Sequence, residues 1–236
     1  MTLAFEKARK SMNKRPPFLS IVFYVFVKYS AKVASFIFFR AYVKNAKSLP
    51  KSGRVIVAPT HRSNLDVPLV GASCRRKLFY LAKGSLFTSR FWAWALPGMG
   101  AIPLDRSSRA DKLALKASLN ALKSGNALTV FPEGERKSGP YVFPILDGAV
   151  WLAAKADAPI LPVGIGGSER AMPKGKFFPL PRRVVILYGE LIPPPKPLPG
   201  ERRVSRSSLK EYSDTLHEIL QGLFDEAQII AGTPNT

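Results

Sequence analysis

His61 is followed five residues later by a carboxylate, in the run Thr60-His61-Arg62-Ser63-Asn64-Leu65-Asp66. If the turn between them is tight, Asp66 reaches one ring nitrogen and leaves the other facing outward. A carboxylate so placed fixes the imidazole tautomer and stabilises the imidazolium as it forms, which suits a general base. No clear serine or cysteine nucleophile stands beside it; Ser63 is near, but it looks like a helix-start residue. A base without its own nucleophile fits a reaction in which a substrate hydroxyl attacks directly. The other histidine, His217, lies among Tyr212, Asp214 and Glu218 and reads as a partly solvated helix residue.

Three more clusters follow. Gly100-Ala101-Ile102-Pro103-Leu104-Asp105-Arg106 ends a strand in an arginine just before a helix, where a guanidinium can fork two hydrogen bonds onto a phosphate. Lys83, after another strand, offers a second, point-like charge. In Phe131-Pro132-Glu133-Gly134-Glu135-Arg136 the Pro-Glu-Gly step forces a turn. It is expected to display Glu133 at the sheet edge, with Gly134 permitting close approach of a ligand and Arg136 adding a cation. Ile160-Leu161-Pro162-Val163 is a buried strand whose proline points to an edge or a bulge, a shaping role more than a chemical one.

All four clusters sit at strands, and the elements that hold them alternate. Short β-branched runs at 54–59, 77–81, 101–103, 127–131, 160–165 and 183–188 read as strands, with helical patterns near 64–73, 91–96, 110–123 and 148–156. That alternation predicts an α/β fold, a single domain with a mostly parallel central sheet flanked by helices. Residues at the carboxyl ends of such strands lie where these folds build sites. Ser108 with Asp111, and Ser208 with Glu211, have capping-box spacing, and Leu115, Leu119 and Leu122 recur at helical spacing. A proline-rich stretch at 193–199 precedes a terminal helix over about 209–229, and 231–236 reads as a disordered tail.

Lys and Arg number 36 against 16 Asp and Glu, a formal charge of +20 in 236 residues. An excess this large calls for an anionic partner, which charge alone does not choose. No zinc-finger spacing, RNA-binding aromatic signature or helix-turn-helix pattern accompanies it, so nucleic acid is not expected. The single cysteine, Cys74, excludes an intramolecular disulfide, leaves no cysteine cluster for zinc, and reads as a small core residue. Residues 1–16 are basic, and an apolar stretch over 18–39 follows Pro16-Pro17, too long for a signal-peptide core. Lys28 and Lys32, four apart, share one helical face opposite an aromatic and aliphatic stripe. This predicts a helix lying in a membrane interface with its lysines snorkelling to headgroups. Residues 1–47 thus form an N-terminal membrane-docking helical segment, 48–230 the main domain and 231–236 the tail.

In this order the four blocks resemble the glycerolipid acyltransferase family that includes 1-acylglycerol-3-phosphate acyltransferase. That family carries a histidine, four residues and an aspartate, then G-x-I-x-x-D-R, then F-P-E-G-x-R, then a short apolar-proline strand. The likeness spans about residues 54–166. Thr60 stands where many members have asparagine, though a threonine can still cap the following turn; Glu135 stands where many have threonine. The resemblance implies transfer of a fatty acyl group from acyl-CoA or acyl-ACP to the sn-2 hydroxyl of 1-acyl-sn-glycerol 3-phosphate, giving phosphatidic acid. In that scheme His61 is the base and Asp66 orients it. Arg106, with Lys83, holds the acceptor phosphate, and Glu133, Gly134 and Arg136 complete the acceptor pocket. The scheme needs no metal and no cofactor besides the acyl-CoA or acyl carrier protein co-substrate. Its partners are an anionic membrane surface and a lysophospholipid, at the cytoplasmic face of the cell membrane; the alternative is the same chemistry on another lysolipid or a glycolipid.

Overall fold

The computed structural model describes residues 3–11, 17–105, 111–197, 199–201 and 203–234. The chain opens with two helices, α1 (Leu3–Ser11) and α2 (Phe18–Ile37), and then alternates. The order is β1 (Tyr42–Lys44), β2 (Val55–Pro59), α3 (Asp66–Ser73), β3 (Leu78–Lys83), α4 (Arg90–Gly98), β4 (Ala101–Leu104) and α5 (Lys112–Lys123). There follow β5 (Ala127–Thr129), α6 (Gly148–Ala156), β6 (Ile160–Gly166), α7 (Ser168–Ala171), β7 (Val185–Tyr188) and α8 (Arg206–Ala231). The strands form one sheet in the order β1-β7-β6-β2-β5-β3-β4. The five from β6 to β4 are parallel, β7 is antiparallel to β6, and β1 is parallel to β7. The α/β architecture with a mostly parallel sheet is as expected, and β1 is an addition. Three exposed residues carry no alternation long enough to announce a strand.

Both faces of the sheet are covered, which is why β2 and β6 are buried along their whole length. Ile56 and Ala58 of β2 point to one side, into a core completed by Leu122, Val150, Leu152, Leu216, Leu220 and Phe224. Val55 and Val57 point to the other, among Phe39, Leu69, Val70, Cys74 and Tyr188. Leu115 and Leu119, picked out by their spacing, pack against the first of these cores. On β6 the glycines at 164 and 166 let α8 lie directly on the strand. A Cβ on Gly164 would run into the Leu223 backbone, and one on Gly166 into that of Ala227.

Pro162 falls on an interior strand, not an edge, and the bulge explains how. Val163 pairs with Tyr188 whereas Ile160 pairs with Ile192, so one extra residue is accommodated on the partner side. The helix starts differ from those expected. The α5 cap is Asp111 itself, whose Oδ1 accepts from Leu113 N and Ala114 N at 3.1 Å, while Ser108 lies outside the described residues. The α8 cap is Ser205, accepting from Ser208 N, so the helix begins one turn earlier than the Ser208–Glu211 pair implied. At its other end Gly232 closes the helix and Thr233 N donates to Gln228 O, which orders the start of what read as a disordered tail.

The N-terminal helices pack on the domain unequally. From α1, Phe5 and Ala8 are buried and Phe5 meets Phe87 edge-on at 6.3 Å; Arg9 pairs with Asp111 at 2.7 Å. From α2 only one stripe turns inward: Ser20 is buried, Phe23 packs on Phe91 and Trp94, and Lys28 follows. Lys28 Nζ donates to the carbonyls of Arg75 and Arg76, so it ties α2 to the protein and does not reach outward as expected. The outward face carries Phe18, Leu19, Val22, Phe26, Val33 and Phe36, all exposed, with Lys32 also exposed. This helix is long and apolar enough to cross a membrane by length and composition.

Beneath α2 and α3, burial pushes the Cys74 thiol up from its ordinary 9.0 to about 11, against smaller opposing pulls from Tyr188, Lys28 and Arg76. A thiol held neutral is a poor nucleophile. Iodoacetamide at pH 8 is therefore expected to spare Cys74 in the native protein and to label it in urea, read by intact mass. The sign for stability follows from the raised folded value: the contribution is complete below about 9 and is lost as pH rises toward about 11. A Cys74→Ala variant removes that component of the alkaline dependence.

Candidate active site

Because β2, β5, β3 and β4 are parallel neighbours, the segments after their carboxyl ends rise from one edge of the sheet. At or just beyond these ends lie, in that spatial order, His61, Phe131–Arg136, Lys83 (the last residue of β3) and Asp105. The segment after β6 rises on the far side of β2. His61 therefore stands between two loops.

Asp66 occupies the first turn of α3, fully buried, with its carboxylate turned back over the preceding loop. Its Oδ2 accepts from His61 Nδ1 at 3.0 Å and from the backbone N–H groups of Arg62 and Ser63 at 2.7 Å each. A carboxylate only accepts, so the bond assigns the hydrogen to Nδ1 and leaves the lone pair on Nε2. Nε2 has no hydrogen-bond partner among the described residues, and the His61 side chain keeps 15% of its surface open. Phe131 stacks on the ring, centroids 3.9 Å apart and planes 27° from parallel. The imidazole is thus fixed by a bond in its plane and by an aromatic face against it.

The backbone of His61 is held just as tightly, and the holder is the segment after β5. His61 N donates to Glu133 Oε1 at 3.0 Å, and His61 O accepts from Lys137 N at 2.9 Å. The other oxygen of Glu133 accepts from Arg62 Nη1 at 2.8 Å and from Phe143 N at 3.2 Å. Glu133 was expected at the sheet edge facing a ligand; it is buried, and both oxygens are spent on the protein. The reason is Arg62, whose guanidinium lies 1% exposed against Phe224, 4.6 Å from the ring centroid, with Nη2 donating to Tyr141 O at 2.8 Å. A buried guanidinium needs a carboxylate, and Glu133 supplies it. From the β6 side, Met172 O accepts from Ser63 Oγ at 2.8 Å.

The remaining predicted residues divide. Gly134 has φ +73° in the turn closed by its N–H onto Phe131 O at 3.0 Å, so backbone geometry already requires glycine there. Its nearest neighbour is the Leu146 side chain. Arg136 is half-buried, Lys83 is exposed, and neither makes an ion pair or side-chain hydrogen bond among the described residues. Arg106 lies outside the described residues. Thr60 caps no turn; its Oγ1 accepts from Ile165 N at 3.0 Å, across to β6. His217 donates from Nε2 to Val142 O at 2.7 Å, tying α8 to the segment that follows Glu133.

A profile of the acyltransferase family matches residues 40–166, more than half of the chain. The chain belongs to the acyltransferase family. Among its relatives in that family, the 1-acyl-sn-glycerol-3-phosphate acyltransferase of Bacillus subtilis is 30% identical over 139 residues, 57% of this chain and 68% of that protein. A chloroplastic 1-acyl-sn-glycerol-3-phosphate acyltransferase of Brassica napus is 29% identical over 147 residues, 61% of this chain and 42% of that one. An uncharacterized acyltransferase of Schizosaccharomyces pombe is 29% identical over 184 residues, 76% and 62% of the two chains. The chain thus spans about half the length of several curated relatives it matches. The crystal structure of the 1-acyl-sn-glycerophosphate acyltransferase PlsC from Thermotoga maritima superposes with a TM-score of 0.70 at 26% identity, over 86% of this chain and 78% of that one.

Two residues that hold this site carry no signal of a functional role in the sequence. Arg62 is visible as a cation inside the His61–Asp66 interval, but nothing in the sequence pairs it with Glu133, seventy-one residues later and beside a second acid, Glu135. Nothing in the sequence marked Phe131 as the stacking partner of His61.

Proposed function

We propose that the chain transfers a fatty acyl group from acyl-CoA or acyl-ACP to the sn-2 hydroxyl of 1-acyl-sn-glycerol 3-phosphate, giving phosphatidic acid, with His61 as general base and Asp66 as its orienting carboxylate. The observation that carries this is the His61–Asp66 bond, which leaves Nε2 as an accepting lone pair on an accessible ring. Nε2 takes the proton of the acceptor hydroxyl as its oxygen attacks the thioester carbonyl. When the tetrahedral species collapses, the C–S bond breaks and the thiolate takes the proton back from the imidazolium. The relatives named above supply the acceptor class. Lys83 and Arg136, on the same edge of the sheet and without an ion-pair partner among the described residues, are cations suited to an acceptor phosphate, beside the Arg106 that the family resemblance implies.

Phosphatidate synthesis needs a lipid surface, and the chain has the means to hold one. The exposed apolar face of α2 and a charge of +20 suit docking on an anionic leaflet, at the cytoplasmic face of the cell membrane. The test offers the purified protein one labelled acyl thioester and a panel of lysophospholipids and lysoglycolipids. Fastest product formation with 1-acyl-sn-glycerol 3-phosphate is expected. A product formed only on a glycolipid would replace the acceptor, and thioester hydrolysis without transfer would overturn the reading.

A further inference from the structure

The segment between α7 and β7 is attached at two informative places. At its start, Met172 O accepts from Ser63 Oγ inside the loop that carries His61. At its end, Val184 N donates to Phe39 O at 3.1 Å, Val184 O accepts from Tyr42 N at 3.0 Å, and the Arg183 guanidinium lies 6.0 Å from the Tyr42 ring centroid. Phe39 and Tyr42 come directly after α2. One loop therefore runs from the histidine turn to the end of the helix whose outer face is apolar and uncovered.

The tip of that loop is more exposed than anything else of its kind nearby. A turn closed by Lys176 N onto Pro173 O at 3.0 Å is followed by Phe177 and Phe178, which are 90% and 87% exposed. Around them Lys174, Lys176, Arg182 and Arg183 are also exposed, and no acidic residue occurs between Glu169 and Glu190. Two adjacent phenylalanine rings held in water by a cationic collar are the composition of a segment that enters an anionic interface, rings inward and charges at the phosphates. A bilayer fits better than an acidic protein partner, because both rings stand almost wholly in solvent at the tip, packed against nothing among the described residues that would shape a specific contact.

We propose that the 173–183 loop is a second membrane anchor, its Phe177–Phe178 tip inserting into the same anionic leaflet as α2 and holding the histidine turn at the lipid surface. The proposal rests on the membrane reading given above and extends it to a part of the chain outside the N-terminal helices. The probe is a polarity-sensitive fluorophore on Phe178→Cys, which labels selectively because Cys74 is buried. Emission is expected to rise and shift to the blue with phosphatidylcholine vesicles containing phosphatidylglycerol, and much less with phosphatidylcholine alone. In parallel, Phe177→Ala with Phe178→Ala is expected to partition onto the anionic vesicles about tenfold or more weakly, while transferring acyl groups to detergent-dispersed acceptor at the parental rate. Emission indifferent to vesicles, or responsive only to acyl carrier protein, would overturn the anchor even if acyl transfer is intact. A vesicle-dependent shift supports it even if no acyl transfer is found, which separates this inference from the catalytic one.

Discussion

His61→Ala is expected to lower acyl transfer by about 10²–10⁴-fold while leaving the fold and vesicle binding in place. The size of the loss follows from Nε2 being oriented by the Asp66 bond and without a partner among the described residues: removing it leaves the acceptor hydroxyl to lose its proton to water. The survival of the fold follows from how the loop is held. The two bonds that fix residue 61, to Glu133 Oε1 and from Lys137 N, are made by its backbone and persist in alanine. Asp66 keeps its two backbone donors, from Arg62 and Ser63. The check is turnover of a labelled thioester with lysophosphatidate, beside a thermal melt and a vesicle co-sedimentation. Retention of more than about 1% of parental turnover would remove His61 from the role of base.

That the pairing of His61 with Asp66 could be read from the sequence, while the architecture that holds the two could not, has a physical cause. A histidine and an aspartate at fixed short separation constrain each other locally, and the strand before them and the helix after them are written in periodicity. The parallel sheet was equally legible, since β2, β3, β4, β5 and β6 are apolar runs of strand length. What a linear reading lacks is burial. Glu133 looks like a displayed acid because acids usually are; it is buried only because Arg62, seventy-one residues earlier, is buried too. Lys28 looks like a snorkelling lysine because it sits on an apolar helix. Its actual partners, the Arg75 and Arg76 carbonyls, belong to a chain reversal the pattern does not encode. In both places the polar group turned inward to satisfy a neighbour distant in sequence.

The buried Arg62–Glu133 pair yields the largest expected change in stability. Glu133→Leu strips the guanidinium of its carboxylate at a site 1% exposed, and leaves the N–H groups of His61 and Phe143 without their acceptor. Breaking one side of such a pair costs about 3–5 kcal/mol, a large share of a typical domain's stability. A double variant separates the charge from the hydrogen bonds. Arg62→Met with Glu133→Gln removes the buried charge yet keeps an amide oxygen in reach of the His61 N–H. It is expected to recover most of the stability in urea unfolding, together with most of the turnover. Arg62→Met with Glu133→Leu removes the charge and the acceptor together, so stability returns only in part and kcat stays low with KM little changed, because the histidine backbone is no longer pinned. If the two double variants turn over equally well, Glu133 serves only to neutralise Arg62. If they differ as expected, the glutamate positions the base from behind, through a main-chain bond that no substrate touches.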